Sequence, residues 1–327
     1  MKKFIPSSLV IITIVLLGLL SNTSYASNSN SPDVSTILTY IKSQEFMDHV
    51  IEHVKFLSSL NSRVTGQNGC YVAAEYIASK FKEYGLKPGG ESGYFELFTV
   101  TVPIDREVKI IIPESNITIE GYALWPNGIQ SCPTPPEGIE GTLVYFESGT
   151  LKEISEKLRK LNINDLSNVI ALMKFNTYKN WFNLVNFKVK AIIFLEPHET
   201  NRIEAETKFT LTPLLVPRIY VFRKYFRVLL NNVHKRVKVF SDMRYENVKS
   251  ANIIGIIEGT KYKNDIIVIS SYYDSWSIIP RLSPGADEAC GVAVLLELAR
   301  FFSINKPLRT LWFVAFSGHW QALRGSR

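Results

Sequence analysis

Apolar positions Met47, Val50, Ile51, Val54 and Leu57 recur at helical spacing, which predicts a helix over residues 34–60. The same period returns through Ala73, Ala74, Ile77 and Phe81, giving a second helix over 71–84 with Gly85 placed to stop it. The pattern then turns β-rich over 94–102, and Pro103 marks a change in composition.

From about 104 to 248 short strands alternate with short helices. The strands fall at 108–112, 142–146, 169–173, 191–195 and 219–222, and the helices at 151–161, 179–187 and 222–230. Beyond 249 the strands at 253–257, 266–269 and 311–316 are continuously apolar, with a helix at 289–302 among them. Runs of that kind suit a parallel sheet covered on both faces. The predicted fold class is therefore α/β: a mixed, mostly parallel sheet sandwiched by helices, with a smaller β-rich domain inserted. The expected boundaries are 27–105 and 249–327 for the two pieces of the larger domain and 106–248 for the insert. Only eleven residues follow Phe316, too few for another parallel crossover. A further segment or a partner chain is expected to complete the sheet.

Residues 1–26 stand apart. Lys2 and Lys3 precede an apolar run from Leu9 to Leu20, and Ser24-Tyr25-Ala26 offers a small-x-small cleavage site. This is the layout of a secretory signal. The expected location is extracellular, the alternative being a membrane anchor formed by the same segment if it is not cleaved.

The 327 residues are 46% hydrophobic and 20% charged, which excludes a disordered or collagen-like chain. The net charge of +7 is spread along the chain, with no basic block beyond Val233-His234-Lys235-Arg236, so no nucleic-acid partner is expected. Cys70, Cys132 and Cys290 are too few for a disulfide framework and form no CxxC pair.

His49-Val50-Ile51-Glu52-His53 fits the H-x-x-E-H zinc pattern. His49 and Glu52 point away from the apolar stripe, however, and read as a solvated face. Asp274 follows a strand, at the sheet edge where sites form in open α/β proteins. Asp287 lies in a loop that runs into a helix, where a carboxylate can serve simply as the N-cap.

Three stretches resemble the co-catalytic zinc aminopeptidases, the family that includes glutamate carboxypeptidase and the transferrin receptor. The first is His53 to Gly66 with the helix around Ala73-Ala74-Glu75-Tyr76-Ile77 and Gly85-Leu86. The second runs from Asp274 and Asp287 through Val292 to Arg300, and the third is Arg309 to Phe316. Leu214, Val216-Pro217-Arg218 and Ile219-Tyr220-Val221 resemble the protease-associated domain inserted in many such peptidases.

The resemblance implies zinc as cofactor and aminopeptidase chemistry, with Asp287 at the metal-bridging position and Asp274 supporting the metal site. Active relatives place a His two positions before that Asp, where this chain has Tyr272. They also carry a Glu-Glu pair, general base then ligand, where this chain has His319 and Trp320. The last two ligands of the family fall beyond position 327. A tyrosine hydroxyl is a poor zinc ligand at neutral pH and an indole N–H only donates. The expectation is a secreted, catalytically deficient peptidase relative that binds zinc weakly or not at all. The alternatives are a metallo-aminopeptidase completed by a lost or separate C-terminal segment, and an extracellular protein that binds a peptide or protein ligand through the inserted domain.

Overall fold

A computed structural model describes residues 31–327; the expected signal segment lies outside them. Among the described residues no helix is long and apolar enough to cross a membrane. The elements run α1 (Val34–Ile41), α2 (Gln44–Ser59), α3 (Asn68–Glu83), β1 (Lys87–Pro88), β2 (Phe95–Ile112), β3 (Ile117–Glu120), β4 (Tyr122–Ala123) and β5 (Ile139–Phe146). Then come α4 (Leu151–Leu161), β6 (Val169–Lys174), α5 (Trp181–Asn186), β7 (Ala191–Leu195), α6 (Arg202–Glu206), β8 (Arg218–Val221) and α7 (Phe226–Leu230). The chain continues through β9 (Arg236–Ile257), β10 (Tyr262–Tyr272), α8 (Ala286–Ile304) and β11 (Arg309–Phe316).

Two compact units result. One holds the described residues up to Val100 with Asn247–Trp276 and Ser283–Arg327; the other holds Thr101–Glu246 and Ser277–Leu282. In the second unit β5, β6, β7 and β8 pair in parallel, with β4 antiparallel to β8 and the start of β9 antiparallel to β5. Alternate residues fill two separate cores. Leu143, Ile170, Leu172, Ile193 and Ile219 belong to one, and Val144, Ala171, Met173, Ile192 and Phe194 to the other. Burial on both faces is why these strands read as unbroken apolar runs.

In the first unit β10 and β11 are parallel, whereas β11 runs antiparallel to the end of β9, so the sheet is mixed. Helices α3 and α8 pack on it through Ala73, Ile77, Phe81, Val292, Leu295 and Leu296. Gly255 permits that contact: a Cβ there would sit 2.6 Å from Leu86 Cδ2 and 2.7 Å from Phe81 Cδ2.

The structure corrects several expectations. The helix expected over 34–60 is two helices, because Ser43 caps a new start by accepting from Phe46 N at 3.1 Å. Proline at 103 does not end the strand; β2 runs through it to Ile112. Among the described residues β10 lies at the edge of the sheet, with Ile266 and Val268 half exposed.

The buried stripe of α2 is Phe46, Val50, His53 and Leu57, while Met47 and Ile51 face solvent. His53 Nδ1 pairs with the Tyr76 hydroxyl at 2.6 Å, and the Tyr84 hydroxyl lies 3.4 Å from Nε2. His49, expected on a solvated face, instead sets Nδ1 3.4 Å from Glu297 Oε1. The H-x-x-E-H pattern is therefore packing, its two rings turned to different partners.

Burial, aided by the charge of Lys80, pushes His53 down to about 4. The unfolded ring titrates near 6.5. The stability that neutral His53 contributes is thus present above pH 6.5 and lost as pH falls through 4, an effect on the order of 3 kcal/mol. Urea unfolding at pH 7.5 and 4.5 should show a smaller acid loss in His53→Gln than in the wild type. An equal loss in both would discard this account of α2.

Candidate functional site

The carboxyl ends of β10 and β11 lie side by side, with Tyr272 paired to Phe316. Each strand then releases a loop, and the buried carboxylate of Asp274 joins the two. Its Oδ2 accepts from Thr65 Oγ1 at 2.9 Å and from the backbone N–H of His319 at 3.0 Å. Thr65 Oγ1 in turn accepts from Gly318 N at 3.2 Å and lies 3.3 Å from Ser317 Oγ. Ser250 Oγ donates to Ser317 Oγ at 2.8 Å, and Asn252 Oδ1 accepts from Ser317 N at 3.3 Å. A short polar chain, its Thr65, Ser250, Asn252, Asp274 and Ser317 side chains all buried, thereby fixes both strand ends.

Arg63 is the second fastening. Its fully buried guanidinium donates from Nε to Tyr273 O at 3.0 Å and from Nη1 to Leu57 O at 2.9 Å. It also reaches the start of α8, donating to Pro284 O and, at 2.9 Å, to Gly285 O. Burial lowers its pKa. Gly285 enters α8 with φ +59°, and a Cβ there would meet Ser275 Cβ at 2.5 Å, so the loop closes only around glycine.

Above this floor the ring of His319 stacks on Tyr272, centroids 4.0 Å apart and planes 17° from parallel. Trp320 stands edge-on to both, 6.3 Å from Tyr272 and 5.1 Å from His319, and Trp276 lies 5.9 Å from Trp320. Burial lowers the His319 pKa, which favours the neutral ring.

The structure thus brings Tyr272, Asp274, His319 and Trp320 together. Asp287 sits in the first turn of α8 and is exposed. It is not the N-cap the sequence suggested; Gly285 holds that place. Among the described residues no group of three or more His, Cys, Asp or Glu is placed to hold a metal ion. A catalytic zinc uses about three protein ligands and an open position for water, and among the described residues the carboxylates and imidazoles are not placed as such a set.

Sequence reasoning missed Arg63, Thr65, Ser317 and Trp276 as parts of this site. The visible signal was Ser62-Arg63-Val64-Thr65-Gly66 itself, a cation and a hydroxyl in a linker between two helices, where solvent-facing polar residues are the ordinary expectation.

The comparisons with known proteins bear on this arrangement. Residues 252–327 match the model of Peptidase family M28. About a quarter of the chain resembles a probable zinc metalloprotease of Pyricularia oryzae, 38% identical over 84 residues, covering 24% of this chain and 17% of that protein. It also resembles aminopeptidase YwaD of Bacillus subtilis, 37% identical over 84 residues, covering 25% of this chain and 18% of that one. In three dimensions the chain is similar to BSAP, a zinc aminopeptidase from Bacillus subtilis, with TM-score 0.57 and 23% identity over 85% of this chain and 63% of that one. This chain is M28 zinc-aminopeptidase-like. Its matches span under a fifth of the length of these two curated relatives.

In this M28-like site Asp274 is the titrating floor. Burial pushes its carboxyl up to about 7, against the hydrogen bonds from Thr65 and His319 N. The unfolded carboxyl titrates near 3.9. A raised pKa gives stability that is full below pH 4 and lost as pH rises through 7. Asp274→Asn should flatten the decline in unfolding midpoint between pH 4.5 and 7.5 relative to the wild type. An unchanged slope in the variant would show that Asp274 does not titrate there.

Proposed function

We propose that this protein is an exported, catalytically deficient relative of the zinc aminopeptidases, retaining their scaffold and using it to bind a peptide or protein ligand. One observation carries the reading. Where the resemblance puts a metal-ligating His and a Glu-Glu pair, the chain has Tyr272 stacked on His319 with Trp320 against them. A phenol, an imidazole lowered toward its neutral form and an indole do not make a ligand set for two zinc ions. Without a metal to lower the pKa of bound water, His319 alone has no activated nucleophile to serve.

Export rests on the N-terminal layout of Lys2, Lys3, the apolar run and Ser24-Tyr25-Ala26. The strand-rich segment around Val216-Pro217-Arg218, which resembles a protease-associated insert, supports a binding role. Arg218 there is buried and donates to Lys208 O and Trp125 O, with its guanidinium 5.3 Å from the Trp181 ring. Those contacts fix the 208–218 segment, whose Leu211 and Leu215 are 82% and 78% exposed.

Purified protein dialysed against zinc should carry less than one ion per chain by elemental analysis. Leucine p-nitroanilide should be hydrolysed no faster than in buffer. Two zinc ions per monomer, or turnover abolished by a chelator, would overturn the proposal in favour of a working metallo-aminopeptidase.

A further inference from the structure

Within the second unit, Asp105 on β2 carries a carboxylate that no catalytic or packing role explains. Its side chain is fully buried, Oδ2 accepts from Ala123 N at 3.0 Å, and Oδ1 has no hydrogen-bond partner. The nearest cation is Arg281, with Nη1 4.0 Å from Oδ2. Arg281 has a second, simultaneous attachment at the surface: Nη2 lies 3.3 Å from Glu120 Oε1, and the guanidinium sits 4.9 Å over the Tyr122 ring. The other charged groups acting on Asp105 are Glu120 and Asp242, the latter paired with Arg244 at 2.5 Å.

Arg281 belongs to Ser277–Leu282, a six-residue segment that follows Trp276 directly and leads into Ser283. The segment is bonded mainly to itself, through Ser277 Oγ, Ile279 and Leu282. It is held on the unit by Trp125 N donating to Ile278 O at 2.7 Å and by the packing of Ile278, Ile279 and Leu282. A buried anion beside its one guanidinium therefore matters to whether the segment stays seated.

We infer that Asp105 and Arg281 form a proton-controlled latch on residues 277–282: the ionised Asp105 carboxylate holds Arg281 inward, and protonation leaves it held only by its surface contacts. An isolated buried carboxylate is costly, so while ionised it requires the nearby cation; once neutral it no longer does. Burial pushes Asp105 up to about 6, with Asp242 and Glu120 adding to the rise and Ala123 N–H and Arg281 opposing it. The latch is closed above that pH and open below it.

Amide hydrogen exchange on the full chain at pH 7.5 and pH 5, corrected for intrinsic exchange rates, tests this. The segment 277–282 and the Trp125 amide should lose protection by roughly three- to tenfold at pH 5, while β6 and β7 do not change. Asp105→Asn should give the low-pH level of protection at both pH values, and Glu120→Gln should keep the pH dependence. Equal wild-type protection at the two pH values overturns the latch even if the variants fail to fold. So does a pH dependence that survives in Asp105→Asn or vanishes in Glu120→Gln.

Discussion

A buried carboxylate between two parallel strand ends governs this site. Asp274 has no exposure, and the groups it holds, the Thr65 hydroxyl and the His319 amide, come from segments more than two hundred and about forty residues away in sequence. Charge-assisted hydrogen bonds of this kind are among the stronger ones a protein makes, and leaving them unmade inside the molecule is expensive. The position of the loop after β11, and so of the His319 and Trp320 rings, follows from that junction. Arg63 performs the matching task on the other side, tying the end of β10 to the entry of α8 through backbone carbonyls.

Both fastenings are independent of any metal. Arg63 acts on carbonyl oxygens, and Asp274 on a hydroxyl and an amide. The framework of an M28-like site can therefore persist while the side chains above it change. Here those side chains carry rings, and Tyr272, His319 and Trp320 pack on one another. Fold and reactivity are separable wherever chemistry resides in a few groups mounted on a scaffold.

The elements that rest on local periodicity were legible in the sequence. Helix α4 and strand β7 fall where the pattern puts them, because one has a strong amphipathic repeat and the other is apolar throughout. Failures came where tertiary partners override periodicity. His53 displaces Ile51 from the core because Tyr76 and Tyr84 satisfy both its nitrogens. β9 extends to twenty-two residues, of which the apolar run showed only the last few. Of the candidate site, Asp274 was named from its place after a strand and Tyr272, His319 and Trp320 from the resemblance, whereas the contacts of Arg63 and Thr65 span more than two hundred residues. No window of local sequence contains such a contact.

The account stands or falls on what occupies the ends of β10 and β11. Crystals of the protein grown with excess zinc, measured on both sides of the zinc absorption edge, answer that directly. The predicted result is no anomalous peak near Asp287 or His319, with the Tyr272 and His319 rings still stacked. A zinc peak coordinated by Asp287, with His319 turned off Tyr272 to ligate it, would contradict the claim that aromatic packing has replaced the metal.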